Sequence, residues 1–313
     1  MAQRAVPIEL ERSHLLRPRG KRPCRLPDSG RKASCSHVPM DFAAGPSLRT
    51  QHCRKPIDIP TRETVAFLAS RLHFGAELVE VGCGEGHVAS ELSSRGYRVI
   101  GIDSDHDVIV RAQERGVSAV VASWPEFDSP PIDAIAFTRS LHHIGPLHQA
   151  VERACDLLLP TGSLFVEDFA FDQADEGTIQ WFNEVLRSKQ GAQLIYPVVG
   201  SFVTDLLCSR DPVALWQEHH NDDIHSMTAM SQAIAQYFVV RETLAIPYLY
   251  RYVVPVLPET PQAAAFVDEI FREEAHRGQK GQIVLIGRRI VASPSRRAAV
   301  HSLAADDAEV RGD

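Results

Sequence analysis

Leu78-Val79-Glu80-Val81-Gly82-Cys83-Gly84-Glu85-Gly86-His87 decides the fold of this 313-residue chain. The small aliphatic residues at 78, 79 and 81 predict a buried strand. The three glycines, recurring at every second position behind Glu80, predict a tight loop opening onto a helix that carries Val88, Ala89 and Leu92. Glycine has no Cβ, so the loop backbone can approach a ligand closely while the free N–H groups of the next helix point outward. A nucleotide-like ligand suits such a loop.

A dinucleotide-binding turn places its third glycine at the sixth position, but counting from Gly82 that position is His87, and the pyrophosphate fingerprint fails. The segment instead resembles motif I of the class I S-adenosylmethionine-dependent methyltransferases, whose loop holds the methionine end of the cofactor. Three further segments follow in that family's order. Tyr97 to Asp103 alternates apolar residues up to an acid, 17 positions after Gly86. The resemblance makes Asp103 the ribose-binding acid; an acid capping a helix over 105–115 is the alternative. Residues 118–125 form a third short strand running into a loop. Many relatives carry an adenine-binding acid where this chain has Ser123, and Trp124 either stacks on the base or belongs to the core. Residues 133–144 resemble motif IV, a buried strand ending in Leu141-His142-His143. Residues 157–169 resemble the helix end, turn and fifth strand that come next.

The resemblance implies an α/β fold: a doubly wound, mostly parallel seven-stranded sheet of Rossmann-like methyltransferase type, with inserted helices after strands 5 and 6. It implies S-adenosylmethionine as cofactor, held by Glu80, Gly82, Cys83, Gly84, Gly86, Asp103, Ser123, Trp124 and Thr138.

With 44% hydrophobic residues the chain can bury a substantial core. No apolar run reaches the length of a membrane span, and no secretory leader is visible, so a cytoplasmic protein is expected. Six cysteines without a short paired spacing predict reduced thiols. Residues 1–56 carry twelve Lys and Arg against four acids, net +8, which leaves the remainder at −15. An acidic body disfavours nucleic acid as partner, since Lys and Arg must neutralise its phosphates. ThrArgSerLeu at 138–141 replaces the AsnProProTyr-like segment of amino-methylating nucleic-acid enzymes. A small-molecule acceptor is therefore expected; the oligomeric state is not legible.

Residues 1–56 have no apolar periodicity and predict a disordered basic arm, with a true start at Met40, an organelle-targeting segment and a basic contact arm as open readings. Cys24, Cys35, His37, His52 and Cys53 lack zinc-ligand spacing, and no metal is expected. The methyltransferase domain is expected over 57–292. A helix from Pro60 into Val65–Leu72 precedes the first strand, and strand six falls at 238–244 and strand seven at 282–291. Segments 192–238 and 246–280 are expected to cover the substrate, and 293–313 is a disordered tail.

Methyl transfer from a sulfonium is a direct displacement that needs alignment and exclusion of water more than a covalent nucleophile. An O or N acceptor can also need a base, for which His143 at the end of the fourth strand and His220 in the inserted segment are the choices. Glu167 and Asp168, ending the fifth strand, are the reserve. Two other readings compete: a non-catalytic S-adenosylmethionine-binding interaction module, and a nicotinamide-dependent oxidoreductase.

Overall fold

The structure is a computed structural model, and it describes residues 55–220 and 224–295. Its sheet has seven strands: β1 (Glu77–Val81), β2 (Arg98–Asp103), β3 (Ser118–Val121), β4 (Ile132–Thr138), β5 (Leu158–Phe169), β6 (Phe238–Ile246) and β7 (Gly287–Pro294), in the order β3-β2-β1-β4-β5-β7-β6. The first five pair with one another in parallel, and β7 runs antiparallel between β5 and β6. The mostly parallel, doubly wound sheet expected from the sequence is therefore present. Strands β1 and β4 are almost wholly buried because helices cover both faces, which is why they read as near-continuous apolar runs.

One face is packed by α1 (Asp58–Ala69), α2 (His87–Ser94) and α3 (His106–Glu114), whose Leu68, Leu92 and Ile109 join Leu78 and Phe165 in one core. The other is packed by α4 (Leu147–Leu157), with Val151 and Ala154 against Ile135 and Phe137. Between β5 and β6 the chain adds α5 (Glu176–Arg187), α6 (Lys189–Leu194), α7 (Phe202–Cys208), α8 (Pro212–His219) and α9 (Met227–Tyr237). Between β6 and β7 it adds α10 (Tyr250–Val253) and α11 (Pro261–Gln279). Helix α9 joins the core of α4, whereas α5, α7, α8, α10 and α11 build a third core with Phe182, Trp216, Tyr250 and Val267.

Three expectations need correction. Strand seven begins at Gly287 and not at 282, because Ile283 and Ile286 turn into the third core and the Val284 N–H donates to Thr178 Oγ1 at 2.8 Å. Its register, Phe169 opposite Gly287, starts only after that anchor. The strand then runs through Pro294, so residues 293 and 294 are paired sheet and not tail. The fourth strand stops at Thr138, and Leu141–His143 form a 3-10 turn beyond it. The expectations for residues 1–54, the Cys/His set among them, and for the tail from 296 lie outside the described residues.

Candidate active site

The chain order reverses between β1 and β4, and open α/β sheets bind ligands in the crevice at such a point. There a cleft of about 560 Å³ opens at the strand ends. Val81 and Gly82 from the glycine loop, Asp103 and Ser104 after β2, Ser123 and Trp124 after β3, and Arg139, Ser140 and His143 after β4 line it.

Gly82 has φ +71°, and a Cβ there would stand 2.4 Å from Ser140 Cβ. The approach is that close because Ser140 Oγ donates to the Val81 carbonyl at 2.5 Å, tying the turn after β4 to the end of β1. Gly84 has φ +52° with open space at its Cβ position, and Gly86 caps α2 with φ +74°. The loop is therefore a backbone wall whose positive φ values favour glycine, with a side chain sterically excluded at Gly82 and Gly86.

Asp103 accepts from the Gly84 N–H at 3.0 Å through one carboxylate oxygen and from the Asp105 N–H at 3.0 Å through the other. Each oxygen keeps a second lone pair for a ligand hydroxyl. Asp105, not Asp103, caps α3, accepting from the Asp107 and Val108 N–H groups. The capping role considered for Asp103 therefore falls to Asp105.

Five of the expected residues, Gly82, Asp103, Ser123, Trp124 and His143, line the cleft. Others lie beneath it. Glu80 is 1% exposed and accepts from Thr138 Oγ1 at 2.6 Å, so this pair braces β1 against β4 behind the wall. Burial pushes the Glu80 carboxyl up to about 7, against the opposing pull of Thr138 and Arg139. Cys83 is buried with its Sγ facing Gly101, and burial, with Glu80 and Asp103 nearby, pushes its thiol up to about 12. Such a thiol is no nucleophile. Trp124 is a core residue with an edge on the cleft: its indole N–H donates to the Ala150 carbonyl at 2.9 Å, and its ring meets Phe137 edge-on.

The two chosen histidines separate. His143 is exposed on the cleft rim, and desolvation against the wall followed by the neighbouring His142 lowers its pKa, so it is neutral at pH 7. His220, 5% exposed, does not line the cleft. Its Nδ1 stands 2.8 Å from the Trp216 carbonyl and must donate to it, which leaves Nε2 to accept from Tyr252 Oη at 2.8 Å. Burial lowers it to about 4. With both nitrogens engaged and Phe171 stacked on its ring, His220 is a strut of the third core, contrary to the role expected of it.

Glu167 is likewise structural. Its carboxylate receives Arg251 at 2.5 Å, Arg289 at 2.6 Å and Thr64 Oγ1 at 2.6 Å, and these cations hold it below the usual carboxylate range despite complete burial. Asp168 pairs with His142, with Oδ1 at 2.7 Å from Nδ1, just behind His143. Sequence reasoning named both residues without joining them, since they lie 26 positions apart on different elements. Arg139 and Ser140 were missed as cleft residues because no spacing rule marks the two positions after a buried strand.

Residues 57–197 match the family model described as a methyltransferase domain. An uncharacterized methyltransferase of Mycobacterium tuberculosis is 33% identical over 112 residues, which is 33% of this chain and 56% of that protein. A ubiquinone biosynthesis O-methyltransferase of Xylella fastidiosa is 28% identical over 127 residues, 36% of this chain and 50% of that one. The chain thus spans about half the length of the curated relatives it matches. Among solved structures, geranyl diphosphate C-methyltransferase from Streptomyces coelicolor superposes with a TM-score of 0.46 at 17% identity, over 75% of this chain and 76% of that one.

Proposed function

We propose that the protein, whose residues 57–197 match the model of a methyltransferase domain, transfers the methyl group of S-adenosylmethionine to a small-molecule acceptor. The observation that carries this reading is Asp103, held at the cleft by the Gly84 and Asp105 N–H groups with lone pairs left for two ribose hydroxyls. Ser123 and the edge of Trp124 would face the adenine, and Gly82 and Gly84 the methionine end. The open space over Gly84 leaves room for a ligand pressed on the backbone. When bound, the sulfonium supplies an activated methyl carbon.

The chain's own residues then align the acceptor and keep water out. His143, neutral on the rim, is our assignment for a base where the acceptor carries a proton to lose, with His142 and Asp168 behind it fixing the turn. A cleft of this size suits a nucleoside cofactor with a small acceptor beside it. The Xylella relative's name refers to a small molecule, in line with this reading. No helix of the described residues is long and apolar enough to cross a membrane.

Calorimetry with S-adenosylhomocysteine tests the assignment. The wild type should bind, and Asp103→Ala should bind about ten- to a hundredfold more weakly, the usual cost of losing hydrogen bonds to a charged group. No binding by the wild type, or equal affinity in the variant, rejects it. Binding of NAD in its place would favour an oxidoreductase, and tight cofactor binding without turnover on any acceptor would favour an interaction module.

A further inference from the structure

Arg139 is, among the described residues, the non-glycine residue with a left-handed backbone, at φ 67°. For an arginine this conformation is strained and persists only where surrounding contacts enforce it. Here they are the Arg139 N–H, which donates to the Glu167 carbonyl at 2.7 Å, and Ser140 Oγ, which ties the next residue to Val81. Arg139 lines the cleft, as does Gly82.

Its charge is left without a protein partner. Nε is buried and has no hydrogen-bond partner among the described residues, and no ion pair is formed with any of them. Two nearby acids are committed elsewhere, Glu167 to Arg251 and Arg289 and Asp168 to His142, while Glu80 bonds Thr138 and reaches Arg139 only through its field. A guanidinium partly withdrawn from water and unpaired is costly unless a ligand completes it.

We propose that Arg139 binds a carboxylate, the carboxylate of the cofactor's methionine end or that of the acceptor; this rests on the methyltransferase reading above. A carboxylate fits better than a phosphate because this is a single guanidinium, softened by Glu80 nearby, in a cleft whose other charged walls are the acids Asp103 and Glu126. The planar fork of arginine matches the two oxygens of a carboxylate, whereas lysine offers only a point charge.

The test uses the full chain, its Arg139→Gln, Arg139→Lys and Arg139→Gly variants, and three probes: S-adenosylhomocysteine, its decarboxylated analogue, and benzoate. If the cofactor's carboxylate is the ligand, the wild type prefers S-adenosylhomocysteine over the analogue by about ten- to a hundredfold, and every variant loses that preference. If the acceptor's is, the variants bind S-adenosylhomocysteine normally, but benzoate binding to the S-adenosylhomocysteine-loaded protein disappears. Arg139→Gly controls for folding, because glycine tolerates the backbone twist. Its melting temperature should not fall, whereas a purely structural arginine predicts a fall. Variants that match the wild type for all three probes overturn the proposal. Failure of the wild type to bind S-adenosylhomocysteine would overturn the cofactor reading instead, and benzoate titrated into the unliganded protein would still report on Arg139, with equal binding by wild type and Arg139→Gln counting against it.

Discussion

The cleft wall and the helical third core that covers the end of β5 handle buried polar groups in different ways. In the wall, Glu80 has a single short bond to Thr138 and an oxygen without a partner, and Arg139 has an unpartnered Nε. In the cover, Glu274 on α11 accepts from the Tyr248, Leu249 and Tyr250 N–H groups, and His220 is saturated by Trp216 and Tyr252. The cover is not fully paired either, since Arg251 Nε and Nη1 have no partner among the described residues; what differs is that the Arg251 charge is paired with Glu167, whereas Arg139 has no ion pair. The two are joined by Arg251, which reaches from the cover to Glu167 on β5.

Cutting that junction should have the largest effect on stability. Arg251→Ala leaves Glu167 with Arg289 as its one cation, beside the Thr64 hydroxyl, in a buried setting, and breaking a buried pair costs about 3–5 kcal/mol. Denaturant unfolding should show a loss of that size; a loss below about 1 kcal/mol would mean that cover and sheet are held by apolar contact instead.

The same substitution in each region sharpens the contrast. His220→Gln should cost about 1–3 kcal/mol, because it leaves the buried Tyr252 hydroxyl poorly paired. His143→Gln, on the exposed rim, should change stability by less than about 0.5 kcal/mol. Its effect belongs to turnover, expected to fall about 10²- to 10⁴-fold if it acts as base. Equal thermal shifts in the two variants would abolish the distinction between strut and rim.

A pH slope separates the two regions in another way. Burial raises the folded-state pKa of Glu80 from an ordinary value near 4.5 to about 7, so the folded state holds a proton that the unfolded chain has lost. That contribution to stability is full below about pH 4.5 and is lost as pH rises to about 7, at no more than about 1.4 kcal/mol per pH unit. Glu80→Gln should remove this share of the slope, while Glu274, raised to about 7 in the cover, keeps its own. An unchanged slope between pH 5 and 7 would show that Glu80 is ionised throughout.

The parallel half of the molecule was legible in the chain. A strand buried on both faces has to be apolar, a tight turn onto a helix has to contain glycine, and Asp103 has to end the second strand. Each of these is a local demand, met within a few residues, so Leu78 to Gly86 and Tyr97 to Asp103 determined the sheet, the loop and one polar end of the cleft. Long-range pairing decided the rest. Ile283 and Ile286 read as strand until the third core claimed them, and His220 read as a base until Trp216 and Tyr252 took both its nitrogens. His142 meets Asp168, and Arg251 meets Glu167, across 26 and 84 positions of chain. No local periodicity encodes such meetings, because a side chain's protonation and freedom depend on which distant groups the fold brings within hydrogen-bond reach.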